Sequence, residues 1–490
     1  MNCWVNLLIF LGYISLSSSQ QRQEDSQKIC HDADVLILGA GMAGIAAGYT
    51  LSNEQNGTSN FIILEAGDRI GGRVKSQILQ NSGARVELGA NWIQGIDPQQ
   101  PEKHPLYRIA RGCGGLQGFY MGRELNTSYH FYNSSGAEIT NSKELKQRFK
   151  DWYTAEEEIS DESTRRTKAG LDDISVRRAL EDNGWIPKSP IDSVIEWAGI
   201  DFNLGYTPEN SSLLLDYPDP AYTDFGDPSR TADYFVTDQK VGFVGVVQCL
   251  ADRYLTSGDS RLHLQSVVKE IEWSDQCVCA TTAESESLRR YCAPYAIVTF
   301  SVGVLKSKIV KFTPELPQIK QNAFDHAYDA LFLKIFLEFD ETFWPIDANY
   351  ILHADEERGH FCIFQSLPQH FPGQPSILLA TVTGRWAAAV YDQTSNATQS
   401  QIMQVLQKLY GSQIPDPVSI TIPDWGVNPH FMGMYSDFPP GYGHLRDDLV
   451  SPAGRLYFGG EATSSDYNGY LHGAYFSGID VANQIIGMMK

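Results

Sequence analysis

Two stretches of the chain combine residue types and spacing that suit binding and redox chemistry. Gly39-Ala-Gly41-Met-Ala-Gly44 follows the apolar run Asp34-Val-Leu-Ile-Leu38 and precedes Ile45 to Leu51, whose apolar spacing is helical. An order of strand, glycine turn and helix predicts a dinucleotide site. Gly39 makes the tight turn, Gly41 lets the backbone approach a pyrophosphate, and Gly44 allows helix and strand to pack closely; the helix start at Met42 and Ala43 faces the phosphate. A second apolar run, Phe61-Ile-Ile-Leu64, ends at Glu65, about twenty residues past the last glycine, where an acid can accept both ribose hydroxyls. A surface Glu closing an ordinary strand is the alternative. The other stretch is Leu331-Phe-Leu-Lys334-Ile-Phe-Leu-Glu-Phe339, where alternation puts Lys334 on one face with Phe332 and Phe336. A lysine there is costly unless it lies at an edge or has a partner, and desolvation would lower its pKa. An edge lysine reaching out to solvent is the competing reading.

The elements that must position these groups recur at the far end. Gly454-Arg-Leu-Tyr-Phe-Gly459-Gly460-Glu461 reads as a strand running into glycines and an acid. Tyr467-Asn-Gly469-Tyr470-Leu-His-Gly473-Ala474 then leads into a last helix expected over Tyr475 to Met488. A second helix N-terminus with close-approach glycines suits the other side of a pyrophosphate or a ribityl chain. Between the ends, Arg261 to Ile271 reads as one strand and Ala330 to Phe339 as another. Leu145 to Arg166, Ile174 to Asn183 and Gln399 to Tyr410 read as helices.

Glu65-Ala-Gly-Asp-Arg-Ile-Gly71-Gly72-Arg73 and Glu87-Leu-Gly-Ala-Asn91-Trp92 complete an ordered set of motifs. With the GxGxxG and the closing stretch, they resemble the flavin-containing amine oxidases, most closely the plant polyamine oxidases, over nearly the whole mature chain. The resemblance implies non-covalent FAD, because the cysteine that a covalent link would need near Gly433 is missing. It further implies that Arg73, beside Gly72, contacts the FAD phosphates. Asn91 and Trp92 pass beside the cofactor, Val268 meets adenine through its backbone, and Glu461, after Gly460, holds the ribityl hydroxyls. Lys334 corresponds to a lysine that holds a water against flavin N5. Tyr435, in Met434-Tyr-Ser-Asp-Phe-Pro439, and Tyr470 correspond to two aromatic residues that flank the substrate. His430 and His472, close by, are expected to be satisfied structural histidines.

The implied fold class is α/β. A Rossmann-like FAD-binding domain is built from the separated segments 30–100, 245–310 and 445–490, interleaved with an α+β substrate-binding domain over 101–244 and 311–444. The implied activity is transfer of hydride from an amine α-carbon to flavin N5, with imine hydrolysis and reduction of O2 to H2O2. Three departures bear on substrate. Gln94 and Asn203 stand where the polyamine oxidases carry carboxylates, and Phe332 stands for a tyrosine. The two amides weaken the electrostatic reason to prefer a tri- or tetra-amine. A monoamine, an amino acid, a specialised secondary metabolite with a C–N bond, and a decayed flavoprotein therefore stay open. An amino-acid oxidase should supply an Arg clamp for the carboxylate, and none is identified. Histone-tail demethylation conflicts with export and with the lack of an inserted coiled-coil arm.

Composition bounds the rest. The 490 residues carry 38 Lys+Arg against 59 Asp+Glu, a formal charge of −21, with no basic stripe. Such a chain repels a phosphate backbone, which excludes nucleic-acid partners. Val5 to Leu16 is too short to span a bilayer and reads as the core of a signal peptide over residues 1–19. Asn-x-Ser/Thr sequons at Asn56, Asn126, Asn133, Asn210 and Asn396 fit a glycosylated secretory protein. The cysteines are scattered and form no metal framework; one or two disulfides with a thiol left over are expected after export. The expectation is a secreted monomer without stable membrane insertion, acting on a small-molecule amine and O2.

Overall fold

The computed structural model describes residues 32–489 apart from 122–127, 218–224, 228–229, 285–286 and 348. The signal segment, Cys30 and the sequon at Asn126 lie outside the described residues.

The strand Val35–Leu38 is central in a five-stranded parallel sheet, in the order Leu456–Phe458, Tyr295–Val298, Val35–Leu38, Phe61–Leu64, Leu262–His263. All four of its residues are buried, because each face of the sheet is covered. Val35 and Ile37 enter one core with the first helix, Met42–Asn53, and the last helix, Leu471–Met488. Leu36 and Leu38 enter a second core with the four-stranded sheet that carries Val267–Trp273 and Val278–Glu284. Burial on both faces is why the run is apolar throughout rather than alternating.

The first and last helices cross at Gly478, where a Cβ would strike the backbone of Ala43. The last helix starts at Leu471, four residues before the expected Tyr475. Gly473, read from sequence as part of a loop, lies inside its first turn, where a Cβ would collide with the carbonyl of Tyr467. The strand expected over Arg261 to Ile271 is two strands, Leu262–His263 and Val267–Trp273, each in a different sheet. The chain breaks at Gln265, with φ of +55°, and the turn is tied down by Gln265 N–H to Gly67 O and Ser266 N–H to Glu65 O, each 2.8 Å.

A six-stranded sheet runs Ser419–Thr421, Phe332–Glu338, Ile377–Thr383, Ile363–Ser366, Tyr350–His353, Tyr129–Tyr132. Beside it lies the helix Lys143–Ala169, started by Ser142 Oγ accepting from Leu145 N–H and stopped by Gly170 at φ of +63°. Its buried face, Leu145, Phe149, Trp152, Ala155 and Ile159, follows the helical period. The helices expected at 174–183 and 399–410 form as Val176–Asp182 and Ser395–Tyr410. Among the described residues no helix is long and apolar enough to cross a membrane.

Candidate functional site

A cavity of about 730 Å³ runs between the parallel sheet and the six-stranded sheet. Its floor is made by the glycine turns. Gly39, at φ of +112°, sits against the Thr299 side chain; a Cβ on Gly41 would meet no protein atom within 4 Å, so that edge of the turn faces open space. Met42 and Ala43 also line the wall. Gly44 does not: a Cβ there would run into the Gly39 carbonyl, so its role is packing rather than cofactor contact. Neither Gly41 nor Tyr470, the N-cap residues of the first and last helices, makes a side-chain cap bond, which leaves N–H groups at both starts open to an anion.

Around this floor the acids and the arginine are locked in place. Glu65 Oε2 accepts from Ala40 N–H at 2.7 Å and Oε1 from Gly67 N–H at 2.8 Å, with lone pairs left over for hydroxyls. Arg73 Nη1 donates to Met434 O at 2.7 Å and to Glu461 Oε1 at 3.1 Å, joining motifs from the two ends of the chain. Glu461 also accepts from Ser436 N–H and Oγ–H. Gly72 has φ of +55° and Gly460 φ of +136°, and a Cβ on Gly460 would also meet nothing within 4 Å. Ser266, Val267 and Val268 reach the same wall, delivered by the break at Gln265. The residues fit FAD: two uncapped helix starts and bare backbone for a pyrophosphate, an acid at each end for hydroxyls, and a cavity linking them.

Lys334 is 1% exposed, which rules out the solvent-reaching alternative. Its Nζ donates to Gly89 O at 2.6 Å and Asn91 Oδ1 at 3.2 Å and lies 5.5 Å from the Trp92 ring centre. It stands directly behind the wall formed by Gly89 to Trp92 rather than on the wall itself. Asn91 is held in turn by its Nδ2 on Val236 O at 3.0 Å. Burial lowers the pKa of Lys334 and the field of Glu87 opposes that shift.

Tyr435, Tyr470, Phe332 and Gln94 line the cavity together with Phe202 and Tyr206. Phe332 lies 5.6 Å from Phe202 and 6.4 Å from Tyr435, ring centre to ring centre. Burial pushes the Tyr435 phenol well above its ordinary range, so it remains neutral. Asn203 is exposed at the rim, its Nδ2 turned back onto Gly199 O at 2.9 Å. His430 is exposed at the rim. His472 departs from the expectation of a satisfied histidine: it is fully buried, stacks 5.0 Å from Tyr470, and neither ring nitrogen has a hydrogen-bond partner. Burial drives its pKa far down, so the ring is neutral.

Sequence reasoning missed the carboxyl groups of this cavity. Glu156, Asp216, Asp233 and Asp437 all line it. Asp216 and Asp437 hydrogen-bond to each other; burial raises both pKa values, and Arg446, 3.2 Å from Asp437, opposes the rise there. The one available signal was Asp437 itself, two residues after Tyr435 in a stretch already singled out. Among the described residues the one free thiol, Cys362, is buried away from the cavity, in keeping with non-covalent flavin.

Comparison with known proteins agrees with this geometry. The model of the family described as flavin containing amine oxidoreductase matches residues 42–486. Polyamine oxidase 7 of Oryza sativa subsp. japonica is 34% identical over 458 residues, covering 91% of this chain and 93% of that protein. Polyamine oxidase 1 of Zea mays is 34% identical over 466 residues, covering 92% and 90%. Among solved structures, putrescine oxidase bound to putrescine superposes with a TM-score of 0.73 at 19% identity, covering 93% of this chain and 99% of that one. Cyclohexylamine oxidase from Brevibacterium oxydans superposes with a TM-score of 0.69 at 20% identity, covering the same shares.

Proposed function

The chain belongs to the flavin containing amine oxidoreductase family and is an FAD-dependent, polyamine-oxidase-like amine oxidase, and from this premise we propose that its substrate is an amine carrying a second cationic group. The observation that carries this reading is the set Glu156, Asp216, Asp233 and Asp437 in one cavity with Tyr435 and Tyr470. Gln94 and Asn203 alone argued against a polyamine; Glu156 and Asp233 on the same walls, with the buried Asp216–Asp437 pair that a second ammonium would draw toward ionisation, restore an electrostatic reason for one. FAD, held without a covalent link, would supply the hydride acceptor and the route for the electrons to O2. The backbone at Gly39, Gly41, Gly72 and Gly460 and the Arg73 guanidinium would hold its pyrophosphate, Glu65 its ribose and Glu461 its ribityl hydroxyls. Tyr435 and Tyr470 orient the amine and offer π-faces to its nitrogen. Phe202 and Phe332 exclude water from the reacting end. Lys334, behind Asn91 and Trp92, would act through its bonds to Gly89 and Asn91, positioning a water for reoxidation.

Anaerobic mixing of the purified protein with spermine, N-acetylspermine, simple monoamines or amino acids tests the reading through loss of the oxidised flavin band. Rapid loss with the polyamines and slow loss with monoamines is expected. Loss with monoamines alone would overturn the second-cation preference, and a flavin that no amine reduces would overturn the activity.

We also propose that the protein is secreted and glycosylated. The apolar run Val5 to Leu16, the exposed sequons at Asn56, Asn210 and Asn396, and the disulfides Cys113–Cys249 and Cys279–Cys292 support this.

A further inference from the structure

Glu87 opens the segment Glu87-Leu-Gly89-Ala-Asn91 whose carbonyl and amide receive the Lys334 ammonium, yet it touches neither the cavity nor the lysine directly. It is 4% exposed and accepts from two donors. Its Oε1 accepts from Phe243 N–H at 2.8 Å, just before the helix Val244–Ala251. Ser76 Oγ, on the strand paired with its own, lies 2.9 Å and 2.8 Å from its two oxygens. Gly242, at φ of +81°, passes so close that a Cβ would stand 2.6 Å from Oε1. A backbone N–H can only donate, so Oε1 is cast as an acceptor, and the hydroxyl is free to donate as well. The arrangement therefore suits the ionised form of a buried acid.

Lys334 shows the complementary arrangement. Its ammonium is fully buried and its two contacts are neutral acceptors, a carbonyl and an amide oxygen. A buried ammonium with no counter-charge gives up its proton. Among the described residues the charge that acts on it is that of Glu87; burial raises the Glu87 pKa in turn, and the bonds from Phe243 and Ser76 and the charges of Lys334 and Arg85 oppose that rise.

We propose that Glu87 is the counter-charge that holds Lys334 in its ammonium form, a positioning residue for the oxidase. This rests on the proposed role of Lys334 in the reaction. The consequence is that one segment supplies both the hydrogen-bond acceptors and the balancing charge for the lysine, so its protonation is set from behind the wall and not by the substrate.

The test is a Glu87→Gln variant of the holoenzyme, read in two ways. Trp92 lies against the Lys334 ammonium, so the pH dependence of tryptophan emission, minus that of Lys334→Met, follows the lysine whether or not any amine is turned over. The pH dependence of reoxidation of the reduced flavin follows it through the reaction. Removing the carboxylate charge destabilises the ammonium, so both titrations should move to lower pH by about one to two units, the size of a nearby-charge effect. Glu87→Asp should recover most of the shift. If Glu87→Gln does not fold, Ser76→Ala weakens the ionised acid and should move both titrations in the same direction by less. Coincident titrations in the variant and the parent would overturn the proposal. An emission titration that shifts while the reoxidation profile does not would leave Glu87 as partner of Lys334 but overturn its part in the reaction.

Discussion

Asp437 shares an extended segment with Tyr435, so the two side chains leave on one side while Ser436 turns to Glu461. Its carboxyl and that of Asp216 are hydrogen-bonded and buried, and two such groups cannot both ionise freely. A substrate ammonium beside them draws the pair toward full ionisation, and a monoamine that lies only between Tyr435 and Tyr470 does not. Asp437→Asn is therefore expected to raise KM for a diamine or polyamine about tenfold, corresponding to ~1.4 kcal/mol, and to leave KM for a monoamine unchanged. The sign with pH follows. Both pKa values are raised, so the pair takes up protons as pH falls, and KM for the polyamine should climb on the acid side in the parent but much less in the variant. Steady-state kinetics at several pH values decides it; equal changes for both substrates would mean the pair never meets the second cation.

At the scale of the element, the glycines of the first turn separate folding from cofactor binding. Gly41 has φ of −70° and a Cβ there meets no protein, so Gly41→Ala should leave the unfolding midpoint of the flavin-free protein unchanged while FAD titrations show weakened binding. Gly44→Ala forces a methyl into the Gly39 carbonyl and should cost about 1–3 kcal/mol of stability before any cofactor is added. Thermal unfolding without FAD distinguishes the two, and a Gly44→Ala protein as stable as the parent would refute the packing role. The same contrast shows what sequence can reveal. A glycine turn, a following helix and an acid at Glu65 answer local demands of backbone and ligand, so their spacing can be read. The wall of carboxyl groups answers no local demand. Glu156 comes from a long helix, Asp216 from a short one, Asp233 and Asp437 from strands, and only tertiary packing brings them together. Judging pocket charge from Gln94 and Asn203 treated a sum over several walls as a property of two aligned positions. The apolar run around Lys334 could not distinguish edge from interior, because the answer lies in the neighbouring strand Ile377–Thr383 and in the segment Gly89 to Trp92.

For the whole molecule, the acidic surface, the disulfides and the sequons bear on one question, the compartment in which the chain folds. Cys279 and Cys292 face each other directly across neighbouring antiparallel strands, and Cys113 and Cys249 join segments 136 residues apart, bonds that persist in an oxidising compartment. Sugar is added to asparagine before the chain has folded, so exposure in the folded protein decides only whether a glycan can be accommodated. Asn56, Asn210 and Asn396 are exposed. Asn133 is half-buried, with its Oδ1 accepting from Ser135 and Ala137, and Asn210 Oδ1 accepts from Tyr328. Those contacts engage the amide oxygen, whereas a glycan attaches through the nitrogen. The full chain expressed in a eukaryotic secretory host should therefore reach the medium and lose mass on treatment with an asparagine-glycan amidase. The loss should shrink stepwise as Asn56, Asn210 and Asn396 are changed to Gln. A chain that stays inside the cell with an unshifted mass would refute export, while an exported chain without a mass shift would refute only the glycans.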